Sequence, residues 1–275
     1  PDLHKELKKD ILDEVFIIHR RPQTYSPLGR VIVGNAGSGK THLLGTLRRE
    51  ASRISQWFVL VDMTGVGNFD QTVLMGYIES LQAFHTPAKQ QYQAVLETFL
   101  SNARLNTSLQ RLANLREAML IQEVDQIIVL ANRKHGRTLL PYQDILRALF
   151  YFHSNDPYIQ EAGYAYLLGS DLEPPDKTRL HFRNAQQKPI DIVKALSWIM
   201  SVGGATILAL DQLDAIVTQH HLTGGDDQTT PLNEEQKTSL AIIEGIGRGL
   251  SALRDITQKT LILVSCLETT WEILR

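Results

Sequence analysis

Residues Gly34-Asn35-Ala36-Gly37-Ser38-Gly39-Lys40-Thr41 set glycines, a lysine and a hydroxyl at the spacing G-x-x-x-x-G-K-[ST], a pattern suited to holding a polyphosphate. Glycines let the backbone curl until several N–H groups face one point, and a helix starting at the end of the loop adds its positive dipole end. Lys40 would then act as a mobile point charge on the β and γ phosphates. The Thr41 hydroxyl would ligate a Mg²⁺ ion bridging them. The candidate nucleotide-binding segment is the run from Gly34 through Thr41 together with His42.

Such a loop needs a carboxylate for the metal's water shell, and Asp211 is placed to supply it. It ends the apolar run Thr206-Ile207-Leu208-Ala209-Leu210, and in a doubly wound sheet ligands collect at the carboxyl ends of the strands. Thr41 and Asp211 are therefore the candidate metal ligands. No N-K-x-D motif for guanine is present, which favours ATP as the nucleotide.

The elements that must position these residues follow from periodicity. Arg30 to Val33 reads as a short buried strand running into the loop. Thr41 to Ser55 reads as a helix with Leu43, Leu44, Leu47, Ala51 and Ile54 on one side. Leu3, Leu7, Ile11, Val15 and Ile18 predict an amphipathic helix before that core, and Tyr25 or Leu28 in the linker after it could touch a base. Trp57 to Val61 predicts a second strand, Asp62 to Gly67 its exit loop and Phe69 to Leu81 a helix.

The tract from Thr86 to Pro189 is longer than a crossover between parallel strands requires, and its periodicity is helical over Gln91–Leu105, Leu109–Leu130, Tyr142–Tyr151 and Tyr158–Leu168. Asp191 to Val202 predicts a further helix closed by Gly203-Gly204. Thr206 to Leu210 and Thr260 to Val264 predict the third and fourth strands, with a loop at His221–Pro231 and a helix from Glu234 to Arg254 between them. The expected division is 1–85, an N-terminal helix and the first part of a nucleotide-binding core; 86–190, a helical insertion between the second and third core strands; and 191–275, the second part of the core.

Composition bounds the rest. The 275 residues are 43% hydrophobic and 21% charged, enough for a full core, and the formal charge of -2 offers no basic field for nucleic acid. Arg48, Arg49 and Arg53 read as a solvated helix face, and His220-His221 lacks the spacing of a zinc site. The single cysteine, Cys266, falls in an apolar run and reads as a buried thiol. With no membrane-length apolar run and no signal-peptide h-region, the expectation is a soluble protein in a reducing cytoplasmic setting.

Taken together, Arg30–Ser80 and Asp191–Glu268 resemble the AAA+ and STAND side of the P-loop ATPases. The fold implied is an α/β P-loop NTPase with a parallel sheet flanked by helices. Many AAA+ motors carry Glu directly after the strand-end Asp as the water-polarising base, and here that residue is Gln212. The run Leu208-Ala209-Leu210-Asp211-Gln212-Leu213-Asp214 resembles the h-h-h-D-x-h-D form of STAND and KAP-type NTPases, which implies Asp214 as the base. The same resemblance implies that Ser265 takes the polar sensor position, at the end of a strand lying between the P-loop strand and the Asp211 strand. Glu268 is a lesser candidate for a polar switch.

The catalytic set implied is thus Lys40, Asp214 and Ser265, with ATP and Mg²⁺ as cofactors. The activity implied is an ATPase that matures on assembly with its own copies or with a partner effector. The segment Tyr166-Leu167-Leu168-Gly169 onward is similar to ATP-binding proteins of bacterial anti-phage systems of the BREX and RADAR types, implying an antiviral defence setting. A nucleotide-gated switch with little turnover and a motor acting on nucleic acid are the alternative functions.

Overall fold

Four short runs rich in Val, Ile and Leu build one parallel sheet. In the computed structural model, which describes residues 4–22, 29–64, 67–184, 187–214 and 234–274, these runs are β1 (Arg30–Val33), β2 (Trp57–Asp62), β5 (Thr206–Asp211) and β6 (Thr260–Cys266). The order across the sheet is β1-β6-β5-β2, and every pairing is parallel. Strands covered on both faces need no polar alternation, and β5 and β6 are buried at every position.

Side-chain alternation divides the sheet into two faces. On one, Ile32, Phe58, Ile207, Ala209, Leu261 and Leu263 pack with α1 (Lys5–Arg20) and α2 (Lys40–Arg53), which contribute Ile11, Val15, Ile18, Leu43, Leu44 and Leu47. The other face meets α3 (Phe69–Gln82): a Cβ on Gly76 would lie 2.8 Å from both the Leu60 carbonyl oxygen and a Val61 methyl. Beside it runs the longer helix Glu234–Ile256, where a Cβ on Gly249 would meet the Phe69 ring at 2.3 Å. Glycine is required at both positions because the backbone approaches so closely.

Two compact units share the chain, one comprising residues 1–76 and 205–275 and the other Tyr77–Gly204. The second is helical apart from the small antiparallel pair β3 (Phe84–Thr86) and β4 (Lys89–Gln90). Its helices are α4 (Gln91–Asn102), α5 (Leu109–Ala113), α6 (Glu117–His135), α7 (Gln143–Phe152), α8 (Pro157–Leu167), α9 (Pro174–Arg179) and α10 (Pro189–Gly203). The helix Glu234–Ile256 is α11, and Glu268–Leu274 is α12.

The helical unit is wider than the expected 86–190 insertion at both ends. It takes in Tyr77 onward from α3, and α10, whose apolar residues pack on α4 and α7. The predicted helix Leu109–Leu130 is two helices. Ser108 caps the first by accepting the Arg111 N–H, Asn114 closes it, and Arg116 is extended before α6 begins. Strands β2 and β6 run past their predicted ends, to Asp62 and Cys266, so Asp62 is a strand residue and Ser265 lies within β6. Leu3, Tyr25, Leu28, the pair His220-His221 and the predicted loop His221–Pro231 lie outside the described residues. Among those residues no helix is long and apolar enough to cross a membrane.

Within the helical unit a polar network anchored on buried Arg147, Tyr151 and Asp144 ties α6 and α7 to the segment after α9. The Arg147 side chain, 1% exposed, donates to Asp125 Oδ1 at 2.7 Å, and Asp125 Oδ2 lies 2.7 Å from His181 Nδ1. The Tyr151 hydroxyl donates to the Leu180 carbonyl at 2.9 Å, and Asp144 Oδ2 accepts the Arg183 and Asn184 N–H groups.

Candidate functional site

The loop between β1 and α2 takes the shape its glycines permit. Gly37 and Gly39 have φ of 74° and 87°, a region that disfavours side-chain-bearing residues. The Ser38 N–H donates to the Asn35 carbonyl at 3.1 Å, and the Gly34 N–H donates to the Cys266 carbonyl at 3.3 Å, so the loop is pinned to the end of β6. Gly39 occupies the N-cap of α2 without a capping side chain, which leaves the amides of the first helical turn for an anion. The Lys40 ammonium donates to the carbonyls of Gly34 at 2.7 Å and Asn35 at 3.2 Å, folding the lysine back over its own loop. His42 follows in α2 and is exposed.

Asp211 is brought to this loop across 170 residues of sequence. Its Oδ2 accepts the Thr41 hydroxyl at 3.0 Å and its Oδ1 accepts the Gln212 N–H at 3.0 Å, while its carbonyl accepts the Met63 N–H. Asp211 is 5% exposed, so both hydrogen bonds matter to an otherwise costly buried charge. Gln212 is exposed and sits at φ 65°, a left-handed conformation uncommon for a non-glycine residue and typical of functional turns.

A transverse row of side chains crosses the sheet at its carboxyl edge. Ile32 is level with Ser265, Asp62 is level with Asp211, and Leu210 is level with Val264, so the next step sets Asp211 beside Ser265. Leu261 and Leu263 lie on the sheet face covered by α1 and α2, and alternation puts Ser265 on that same face; Phe58 and Leu60 do the same for Asp62. Ser265 is 1% exposed, and its hydroxyl has no hydrogen-bond partner among the described residues. A buried polar atom of this kind calls for an explanation, and a ligand or ordered water is the usual one.

Asp214 stands at the other side of the β6 terminus. Its Oδ1 accepts the Leu267 N–H at 2.6 Å. Cys266 lies between these groups, a buried thiol as expected from its apolar run. Burial pushes it up to about 11, with the Asp214 charge reinforcing the shift and Lys40 opposing it. Glu268 is the exposed first residue of α12.

The site residues named from sequence thus form two groups. Gly34 to Thr41, Asp211 and Ser265 converge on the α2 face, and Asp214 is tied to Leu267. Two further residues were not legible. Asp62 reads as a loop residue from sequence, and His4, whose Nε2 lies 2.9 Å from the Ser38 carbonyl, carries no motif that marks it.

Mg²⁺ usually keeps several waters and takes one or two protein oxygens plus phosphate oxygens. Among the described residues no cluster of three or more His, Cys, Asp or Glu side chains could hold a metal by itself. The adjoining Thr41 Oγ1 and Asp211 Oδ2 nevertheless fit the smaller requirement. Elsewhere, a groove of ≈ 720 Å³ runs along α6 in the helical unit. Of its charged groups, Arg179 pairs with Glu117, and Asp125 with His181 and with Arg147 beneath it, so it offers no reactive set comparable to the loop.

Fold and site together define an α/β protein with a four-stranded parallel sheet and a glycine-rich loop feeding a helix. Comparison with protein-family models, curated proteins and solved structures gives no significant match.

Proposed function

We propose that this chain is the Mg-ATP-binding and hydrolysing core of a P-loop ATPase of the AAA+/STAND type, which couples nucleotide state to assembly or conformational change. The observation that carries the reading is the hydrogen bond from Thr41 to Asp211, which joins the end of the phosphate loop to the end of the third core strand. The strand order supports it, because β6 lies between the loop strand and the Asp211 strand, where the sensor strand was expected.

The roles follow from position. Amides of the Gly34–Gly39 loop and the first turn of α2 bind the β and γ phosphates. The Lys40 ammonium exchanges its loop carbonyls for phosphate oxygens, a stronger charge-assisted pairing. Thr41 and Asp211 would hold Mg²⁺, which when bound would supply neutralisation of phosphate charge. The Ser265 hydroxyl gives a partner to the γ phosphate or to the water that attacks it. A carboxylate at this edge orients that water, and the h-h-h-D-x-h-D pattern nominates Asp214. Partners are further copies of the chain or an effector protein, and the setting proposed is a bacterial defence complex of the BREX or RADAR type. The charge balance gives no support to nucleic acid.

Lys40→Ala tests the reading directly. Calorimetric titration with Mg-ATP should show binding by wild type and none by the variant at matched concentrations. Unchanged affinity in the variant defeats the assignment. A second reading, a nucleotide-gated switch with little turnover, is favoured by Gln212, whose amide cannot accept a proton at neutral pH. Tight binding without hydrolysis at any protein concentration selects it.

A further inference from the structure

We infer that Asp62, at the end of β2, is the carboxylate that takes the proton of the attacking water, an inference that rests on the ATPase reading above. Asp62 is level with Asp211 in the paired strands and on the same face of the sheet, the face that carries the Thr41–Asp211 contact. It is exposed, with one oxygen holding the Thr64 N–H at 2.9 Å, so it borders solvent beside the proposed metal position.

A second observation at the same row fits a ligand there. The Ser265 hydroxyl is buried and, among the described residues, unpartnered, and alternation sets it on the same face one strand beyond Asp211. Ser265, Asp211 and Asp62 therefore set a hydroxyl and two carboxylates in a line across the sheet, on the face where Asp211 meets Thr41 of the phosphate loop.

Asp214 is less suited to the role. Its Oδ1 accepts the Leu267 N–H at 2.6 Å, a shorter bond than the 2.9 Å one from Thr64 to Asp62, and it is less exposed to solvent than Asp62. Its contact joins the Asp211 strand to the exit of β6, a positioning function. Gln212, where many motors carry the base, cannot accept the proton.

The step balances with these groups alone. The water oxygen bonds to the γ phosphorus as the bond from that phosphorus to the β–γ bridging oxygen breaks. ADP leaves with that bond's electron pair. Asp62 takes one water proton and passes it to the released phosphate or to solvent.

The test uses the full 275-residue chain at several protein concentrations, with Mg-ATP binding and single-turnover hydrolysis measured separately. Asp62→Asn keeps an amide oxygen for the Thr64 N–H, so the β2 exit is preserved. It should bind Mg-ATP within about twofold of wild type and lose about a hundredfold or more in turnover, the usual contribution of a general base. Asp62→Glu should recover part of that loss, which a merely structural role would not predict. Asp214→Asn, which also keeps its acceptor, should lose clearly less turnover than Asp62→Asn does. Wild-type turnover in Asp62→Asn, or the loss appearing in Asp214→Asn instead, overturns the inference and leaves the ATPase reading standing. Binding without turnover in wild type overturns it and leaves nucleotide binding standing. No binding in wild type removes both.

Discussion

Replacing Thr41 with Val keeps the size and β-branching of the side chain and removes only the hydroxyl. The hydroxyl donates to Asp211 Oδ2 at 3.0 Å, and Asp211 is 5% exposed, so the change leaves a buried carboxylate with one fewer donor. Hydrogen bonds to charged groups contribute about 1.5–3 kcal/mol net, and because Thr41 itself is exposed the lower end applies, about 1.5 kcal/mol. The assay is urea unfolding followed through buried Trp57 in β2, in a background where the other tryptophans, Trp198 and Trp271, are Phe. In the double-mutant cycle with Asp211→Ala, the coupling should be about 1 kcal/mol, as for residues sharing a hydrogen bond. The same variant should weaken Mg-ATP binding at least about tenfold, or ~1.4 kcal/mol, while Thr41→Ser stays near wild type. Thr41→Val with an unchanged urea midpoint, no coupling to Asp211 and wild-type affinity would refute the reasoning that this pair organises the site.

Two further outcomes are expected in the helical unit. Gly163→Ala should destabilise it by about 1–3 kcal/mol, read from urea unfolding through Trp198, because a Cβ there would meet the Phe152 nitrogen at 2.6 Å and the Ala148 carbonyl oxygen at 2.7 Å where α8 crosses α7. Stability should also fall with acid. Burial, helped by Lys134, lowers His135 below the usual imidazole value, and burial lowers His153 despite opposing effects of the Leu109 backbone and Glu97. A base with a lowered folded value is protonated first in the unfolded chain. Its contribution is therefore complete above about pH 6.5 and is lost as pH falls through the folded value. Asp125 acts only in stronger acid. Burial raises it, but hydrogen bonds from His181 and Arg147 hold it below the usual carboxylate value, so its contribution persists until pH drops under about 4. Melting temperatures between pH 7.5 and 5.5 should decline in wild type and decline less in His135→Phe, whose ring keeps the contacts with Phe99 and Trp198.

Local chemistry was legible where one segment sets its own conformation. The glycine loop, the helix after it and the Asp211 strand all follow from turn chemistry and apolar periodicity. Harder to see was anything decided by pairing across the sheet. Asp62 looked like loop because Asp and the following Gly65-Val66-Gly67 are turn residues, yet pairing with β5 holds it in register with Asp211. Ser265 and Cys266 likewise gain strand geometry from β1. The split of Leu109–Leu130 was hidden because apolar residues continue through the break without Gly or Pro, and the signal lay in Asn114 and an extended Arg116. His4 was invisible for a different reason: its contact is to a backbone carbonyl, which any sequence offers.

The strand order also constrains how the chain acquires its structure. Among the described residues β1 pairs only with β6, which sits between β1 and β5, so within them the phosphate loop's strand gains its neighbour once residues 260–266 exist. Loop closure over so long a separation is slow, whereas the contacts within Tyr77–Gly204 are shorter in range. During synthesis the helical unit should gather first. The loop, β1 and β2 would meanwhile remain an exposed apolar segment, the part of a nascent chain on which chaperones act.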